Sequence, residues 1–435
     1  MKRGFGRMVV VVTSLLVATT TLPAAAIPEA TPRVAIVERG ARIATVTIET
    51  YGVVKEPIVR RYLSLRAGDT LEQAAVERDY NNLTRLGGWR VRLAIRSDPS
   101  TASVSLHWIV MARQFEPTDH PYYADQPLST PIEGVGWIAK SSPLDDRGST
   151  ASTTSQLSRR ANLFHAAYTT PLSVDSTSGR ESDFIVDEFG GRGVYRASQP
   201  LAVNVYSWAM GAEALYLMRY TNGTQIELGA EAVRSTSAQP TYIVAPSLYD
   251  TYYTPVRNTL LKAGVSHSCP VPPAQWHPPY CYLQYRVEAV DAIGGLGANT
   301  EYRAVLADAA QYTRVGSSTL VLHGGVWRSG GVVPTSALVC ATGLRGYAKG
   351  TCGTDADVLQ AEYRIADARP GNWKFILFTE TAASRVRGGD QSFAPPAFAW
   401  HGDSGVGVMY RGVRLNLAYG SQGGRLTYEL QGQLF

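Results

Sequence analysis

Four cysteines and two nearby histidines are the residues whose type and spacing suggest covalent or metal chemistry. The cysteines fall as two local pairs, Cys269 with Cys281 and Cys340 with Cys352. In an oxidising compartment such pairs form disulfides. Four cysteines allow three connectivities, and we favour the one in which each local pair is bonded. His267 and His277 lie beside the first pair, so zinc binding is the alternative. This proline-rich spacing matches no established zinc module, and we predict neither a metal nor a cofactor.

The amino terminus carries the features of a secretory signal peptide. Basic residues precede an apolar core over residues 8–18, and residues 24–26, all alanine, supply the small side chains that signal peptidase requires. We expect cleavage after Ala26, which leaves residues 27–41 as a short lead and residues 1–26 as the signal peptide. The alternative is an uncleaved anchor helix. Export agrees with the predicted disulfides.

One short run matches the nucleophile segment of serine proteases. Residues 402–405 read Gly-Asp-Ser-Gly, but the histidine and aspartate contexts of a catalytic triad are missing. No Gly-x-Ser-x-Gly occurs, so the nucleophile elbow of lipases is absent from the sequence as well. His323 is predicted to stand alone on a strand. We therefore predict no catalytic residue and no enzymatic activity.

Composition excludes two large classes of protein. The chain has 41 basic and 36 acidic residues, a formal charge of +5. Lys2, Arg3 and Arg7 lie in the segment expected to be removed, which leaves about +2 (5 − 3) and argues against a nucleic-acid binder held by phosphate contacts. Beyond the amino-terminal segment no apolar run approaches the ~18 residues of a membrane-spanning helix, which excludes a helical inner-membrane protein. A transmembrane β-barrel stays open, because its strands alternate polar and apolar residues and average to near-neutral hydropathy.

Residues 42–113 show the pattern of a small α+β unit. Alternation over residues 44–49 predicts a first strand, and Pro57 suits the first turn of a short helix. Thr70 and Gln73 have the spacing of a capping box for a second helix, and two further alternating strands follow. The predicted order is strand, helix, helix, strand, strand.

Residues 130–435 alternate polar and apolar positions in one segment after another. Residues 359–365, for example, read Leu-Gln-Ala-Glu-Tyr-Arg-Ile. A soluble β-sandwich also alternates, but here the polar positions carry charges of both signs, as a water-filled lumen does. Tyr is the most frequent aromatic (24 residues, against 10 Phe and 8 Trp), and Tyr suits lipid–water boundaries. We predict a mainly β fold, a transmembrane antiparallel barrel, joined to the α+β unit by a proline-containing linker at residues 114–129.

The α+β unit resembles a POTRA domain, the periplasmic module of the BamA/TamA superfamily of outer-membrane barrels (the bacterial surface antigen family). The resemblance rests on the element order and on residues 68–89, which run from Gly-Asp-Thr-Leu through Asp79 and Tyr80 to Trp89. It implies one POTRA domain followed by a barrel of about 16 strands, for which residues 130–435 are long enough.

Two motifs in the carboxyl half resemble the same superfamily. The first is the Val/Ile-Arg-Gly-Phe/Tyr signature of a long loop that folds into the lumen, here Leu344, Arg345, Gly346 and Tyr347. The second is the inner-wall motif Phe-x-Asp-x-Gly, here Phe378, Glu380 and Ala382. The resemblance implies that Arg345 forks onto Glu380 inside the barrel; the alternative is an ordinary surface arginine. The family's chains also end on an aromatic signal residue, here Phe435.

The resemblance further implies a function at the outer membrane, in the insertion or translocation of polypeptides, with the POTRA domain in the periplasm. Expected partners are outer-membrane lipid, unfolded or exported polypeptide clients, and periplasmic chaperones or accessory proteins, but no nucleic acid. A POTRA edge strand pairs with the client; its residues here are Arg90, Val91, Arg92, Leu93, Ile95 and Arg96. The alternatives are a two-partner-type transporter for one dedicated substrate, and a passive pore or surface antigen without assembly activity.

Overall fold

In the computed structural model the described residues form two units, a small α+β unit and a large antiparallel sheet. The described residues are 40–98, 100–111, 134–140, 143–158, 161–196, 204–238, 256–267, 283–333, 339–341, 344, 351–365, 373–385, 399–410, 413–420 and 423–430. Several predicted features lie outside them, namely the signal peptide, the linker at 114–129, Cys269, Cys281, Arg345, Gly346, Tyr347 and Phe435.

The α+β unit follows the predicted order of elements. Its elements are β1 (Arg42–Tyr51), α1 (Glu56–Arg60), α2 (Gln73–Asn81), a π-helical turn (Asn82–Leu86), β2 (Arg90–Asp98) and β3 (Ser103–Met111). The sheet order is β1-β3-β2, with β1 parallel and β2 antiparallel to the central β3. The two helices lie in the connection that a parallel pair of strands requires.

One face of β3 forms the centre of the unit's core. Val104, Leu106, Trp108 and Val110 are all fully buried, at the period of two that a strand imposes. Helix and loop residues complete the same cluster, namely Val59, Leu63, Leu71, Val76 and Leu83. No helix in the described part of the chain is both long and apolar enough to cross a membrane.

The second helix begins without the predicted capping box, so that prediction is wrong. α2 starts at Gln73, its N-cap residue is Glu72, and no side chain caps it. Thr70 instead forms a β-bridge with Arg42, and the Leu71 amide donates to the Ala41 carbonyl at 2.8 Å. Backbone pairing next to β1 therefore keeps Thr70 extended and out of the helix.

The rest of the described chain is β-structure with its connecting turns, one of which is a short 3-10 helix at Gly294–Leu296. Its strands are β4 (Gly134–Lys140), β5 (Thr150–Ser158), β6 (Ala161–Asp175), β7 (Arg180–Arg196), β8 (Asn204–Tyr220), β9 (Thr224–Ala238), β10 (Val256–His267), β11 (Leu283–Ala292), β12 (Tyr302–Val315), β13 (Ser318–Gly331), β14 (Val339–Ala341), β15 (Thr351–Gly353), β16 (Asp355–Ile365), β17 (Lys374–Arg385), β18 (Ala399–Tyr410), β19 (Val413–Gly420) and β20 (Gly423–Leu430). All but β14 and β15 form one fifteen-stranded sheet in which chain neighbours pair and β13 pairs with β16.

The large sheet exposes its apolar face and buries its polar face. Leu377 on β17 and Leu417 on β19 are 48% and 56% exposed, whereas Glu380 and Arg414, on the opposite face of the same strands, are 3% and 1% exposed. A soluble sandwich does the reverse, because it buries apolar side chains between two sheets. A wall between lipid and a wet interior has the arrangement seen here.

The sheet is continuous, and β4 and β20 are its two edges. Among the described residues no backbone pair joins these two strands. The described residues contribute fifteen strands to this sheet, which is close to the roughly 16 that the family resemblance implied.

Candidate functional site

Leu344, the first residue of the predicted loop motif, is buried on the inner face of the large sheet. It is 5% exposed and lies in one cluster with Ala356, Val358 and Ala382, with Trp327 packed against them. Ala382 is also the last residue of the predicted inner-wall motif. The connection between β13 and β16 therefore folds back onto the strands that follow it. The first residue of the loop motif, Leu344, and the last residue of the inner-wall motif, Ala382, lie in the same cluster.

A short hairpin in the same connection reaches across the interior. β14 contacts β16 and β17, and β15 contacts both β17 and β7. Because β7 lies eight strands from β17 in the sheet order, a segment that touches both must cross the space that the inner face surrounds. Within the hairpin, Cys340 is directly opposite Cys352 in the backbone register. Their side chains lie outside the described residues, so the disulfide stays a prediction.

The predicted inner-wall residues share the buried face of β17. Phe378, Glu380 and Ala382 are 5%, 3% and 1% exposed. The Arg414 guanidinium lies over the Phe378 ring, 5.9 Å from its centroid, and reaches Glu362 at 2.9 Å. The pairing of Arg345 with Glu380 stays a prediction, since Arg345 lies outside the described residues.

Glu380 belongs to a polar row that runs across four neighbouring strands. The row consists of Asp308 on β12, His323 on β13, Gln360 on β16 and Glu380 on β17. His323 Nε2 is 2.8 Å from Asp308 Oδ2, and His323 Nδ1 is 3.0 Å from Gln360 Oε1. The Gln360 amide then donates to Glu380 Oε2 at 3.2 Å. Hydrogen bonds on both sides of Gln360 hold the orientation of the Glu380 carboxylate.

The prediction that His323 stands alone is wrong. The strand register places it directly opposite Gln360, and Gln360 directly opposite Glu380. The four residues of the row are far apart in the chain, and a shift of one residue in any strand would move its side chains to the other face. No local sequence signal could have revealed the row.

A second ionic cluster lies on the inner face at β8 to β10. Lys262 forms ion pairs with Glu213, at 3.2 Å, and with Glu231. All three side chains are at most 20% exposed. Alternation in the sequence predicted a charged inner face, but which acid meets which base depends on the register.

The α+β unit contacts three turns at one end of the large sheet, which we call the near end. Its side chains donate to turn carbonyls in three pairs, Arg61 to Arg147 (2.8 Å), Asn82 to Ser176 (2.8 Å) and Arg85 to Thr221 (3.0 Å). These turns join β4 to β5, β6 to β7 and β8 to β9. The contacts fix the α+β unit against the near end at several separate points.

The centre of this contact is a buried network of Tyr62, Glu181, Asp183 and Arg219, which we call the docking network. The Tyr62 hydroxyl donates to Glu181 Oε1 at 2.7 Å. Arg219 Nη2 is 3.0 Å from Glu181 Oε2 and 2.7 Å from Asp183 Oδ2, and both carboxylates are 1% exposed. Burial, and next the negative charge of Glu181, raise the pKa of Tyr62 well above its usual value.

The docking network carries no signal in the sequence. Tyr62 fits the apolar face of a short helix, and Glu181 and Asp183 fit the polar positions of a strand, so each residue has an ordinary explanation. Only the folded chain brings β7, β8 and the segment that carries Tyr62 together.

The predicted client-pairing strand is an edge strand among the described residues. β2 pairs with β3 on one side only and lies at the end of the order β1-β3-β2. Val91, Leu93 and Ile95 pack against the core, while Arg90, Arg92 and Arg96 are exposed. The exposed arginines give this edge a positive charge.

A scan against protein-family models finds no match, and a search of curated proteins finds none either. Solved structures do match. BamA from Haemophilus ducreyi lacking POTRA domains 1-3 superposes with a TM-score of 0.60 and 13% identity, covering 90% of this chain and 84% of that one. The chain has the fold of BamA. CdiB from Escherichia coli matches with a TM-score of 0.52 and 10% identity, over 88% of this chain and 75% of that one.

The likeness to BamA extends beyond the large sheet. Residues 130–435 are only 306 of the 435 residues, so a match over 90% of the chain must include part of the α+β unit. At this level of identity the likeness is one of fold, and the function must be argued from the residues.

Proposed function

We propose that the protein is an outer-membrane β-barrel of the BamA type that assists the insertion or translocation of polypeptides. The observation that carries the proposal is the polarity of the large sheet, apolar where exposed and charged where buried, in a chain with the BamA fold. In this proposal the α+β unit is a single POTRA domain, the near end of the sheet faces the periplasm, and no covalent chemistry takes place.

The proposed client site is the outer edge of β2. An extended polypeptide that adds a strand there gains backbone hydrogen bonds, and side-chain pockets then set specificity. The exposed guanidiniums of Arg90, Arg92 and Arg96 favour clients with acidic side chains, because complementary charge raises the association rate. The docking network holds this edge at a fixed position below the sheet.

The edges of the large sheet supply a second pairing surface. β4 and β20 each present one side without a partner strand among the described residues. Unpaired backbone groups on a strand edge template the addition of another strand, and in lipid every such group must find a partner. A client strand that pairs with β4 or β20 satisfies both requirements.

The loop between β13 and β16 is proposed to act as a latch inside the barrel. Leu344 already packs against the inner wall, and Glu380 is buried and oriented by Gln360. A bidentate bond from Arg345 to Glu380 then ties the loop to β17.

The likeness to CdiB supports a second candidate, a two-partner-type transporter for one dedicated exported substrate. A third candidate is a passive pore or surface antigen without assembly activity. The three differ in what they need from the α+β unit, because a passive pore needs no contact between β2 and a client. Periplasmic chaperones or accessory proteins remain proposed partners of the first two.

Site-specific photocrosslinking in cells tests the proposal. A photoreactive residue at Arg92 is expected to capture several unfolded barrel proteins, whereas the same residue at Arg60, exposed on α1, captures none. Capture of one exported protein alone selects the dedicated transporter. No capture at Arg92, in a chain that migrates as a heat-modifiable outer-membrane barrel, rejects client pairing at β2 and leaves the passive pore.

A further inference from the structure

Two arginines stand side by side on the exposed face of the large sheet. Arg234 on β9 and Arg257 on β10 are direct cross-strand neighbours, and both are exposed. They share a face with Leu228 and Leu261, which are 51% and 42% exposed, because side chains two residues apart on a strand point the same way. The two guanidiniums therefore belong to the lipid-facing surface of the barrel.

The pair lies at the end of the sheet away from the α+β unit, which we call the far end. Thr221 in a near-end turn contacts Arg85, and Arg234 is thirteen residues further along the chain. At ~3.3 Å per residue this is about 43 Å along the strand, or about 33 Å along the membrane normal for a tilt of ~40°. The apolar band of such barrels is about 25 Å tall, so the guanidiniums lie where headgroups begin.

An aromatic side chain marks the same level on the next strand. Trp208 on β8 lies opposite Thr236, and its neighbour Met210 lies opposite Arg234. Trp208 is 37% exposed on the outer face. Tryptophan is enriched where lipid tails meet headgroups, which agrees with the height worked out from the strand length.

The residue directly opposite each of these arginines is another arginine. One acid, Glu188 on β7, is also exposed on the outer face nearby. Like charges directly opposite each other destabilise a sheet, and an anion between the two guanidiniums makes the interaction favourable.

We propose that Arg234 and Arg257 form a binding site for the phosphate groups of lipid headgroups in the outer leaflet of the membrane. Guanidinium groups fork onto phosphate oxygens with two parallel hydrogen bonds, and basic clusters at a membrane surface recognise anionic lipid. The inference rests on the proposed function only for the orientation, with the far end in the outer leaflet. It adds a lipid partner that positions the barrel at β9 and β10.

Native mass spectrometry of the folded full chain in detergent tests this site. The probes are bisphosphorylated lipid A, the same lipid without its phosphates, and inorganic phosphate as a competitor. Each basic residue near a membrane surface contributes roughly a factor of five to anionic lipid binding, so Arg234→Gln with Arg257→Gln is expected to lower lipid A affinity about thirtyfold. The single variant Arg234→Gln is expected to lower it about fivefold.

A matched control keeps the same change of charge away from the site. Arg60→Gln with Arg66→Gln alters two exposed residues of the α+β unit and is expected to leave lipid A affinity unchanged. Unchanged affinity in the Arg234 variants, an equal loss in the control pair, or equal retention of the dephosphorylated lipid overturns the site. Complete displacement of lipid A by inorganic phosphate would show that the two arginines bind an adventitious ion only, and would also overturn the lipid site. Because no client is present, the result stands apart from the test of client pairing.

Discussion

Replacing Tyr62 by Phe is expected to loosen the α+β unit from the large sheet while leaving both units folded. The substitution removes the hydroxyl that donates to Glu181 at 2.7 Å and keeps the ring, which packs edge-on against Trp89 with centroids 5.0 Å apart. The core of the α+β unit therefore loses no apolar side chain, and the change acts on the docking network alone.

The size of the effect follows from the surroundings of Glu181. A hydrogen bond to a charged group contributes about 1.5–3 kcal/mol. Arg219 still neutralises Glu181 at 3.0 Å in the variant, so the lower part of this range, about 1.5–2 kcal/mol, applies. Because about 1.36 kcal/mol is a factor of ten, the α+β unit should detach about 12 to 30 times more often.

Hydrogen–deuterium exchange of the folded full chain measures this detachment. Amides of α1 and of the π-helical turn are expected to exchange about 12 to 30 times faster in Tyr62→Phe, with β12 and β13 unchanged. Tyr51→Phe is the matched control, because Tyr51 is 50% exposed and bonds only to its neighbour Glu49 among the described contacts. Equal exchange in wild type and Tyr62→Phe, or equal acceleration by both variants, would show that the docking network does not hold the unit.

Three further predictions concern the latch, the hairpin and the docking network. Arg345→Ala and Glu380→Gln are each expected to lower client insertion, and the double variant to lower it no further, since both remove one interaction; additive losses in an insertion assay would contradict the pairing. Cys340→Ser is expected to remove a disulfide to Cys352 that contributes about 3 kcal/mol for a closed loop of ~13 residues; two reactive thiols in the oxidised wild-type hairpin would refute the bond. Between pH 8 and pH ~10 the attachment of the α+β unit should be constant, and above pH ~10 it should weaken, because the raised pKa keeps Tyr62 protonated in the attached unit while the detached unit releases that proton; exchange of α1 that does not change between pH 8 and pH 11, after correction for intrinsic rates, would refute the role of the phenol.

The alternation of polar and apolar residues predicted the fold class, but it did not predict which side chains of different strands contact one another. Residues 359–365 have a polar and an apolar face at any register, so the exposed Leu359 and the buried Glu362 were both expected from the pattern. The capping box at Thr70 was wrong because a long-range bridge to Arg42 overrides a local preference. The prediction that His323 stands alone is wrong because its partners come from two other strands.

The amino-acid sequence by itself determined which face of each strand is apolar, where the small α+β unit lies in the chain and which of its elements are helices or strands. These are properties of a period of two or of local propensity, and they depend on residues close together in the chain. The tertiary structure alone decided that Tyr62 lies against Glu181, that Glu380 and Asp308 belong to one polar row, and that Arg234 lies opposite Arg257. Each of these depends on strand register or on the docking of one unit against the other, and both are set by the free energy of the whole fold rather than by any local segment.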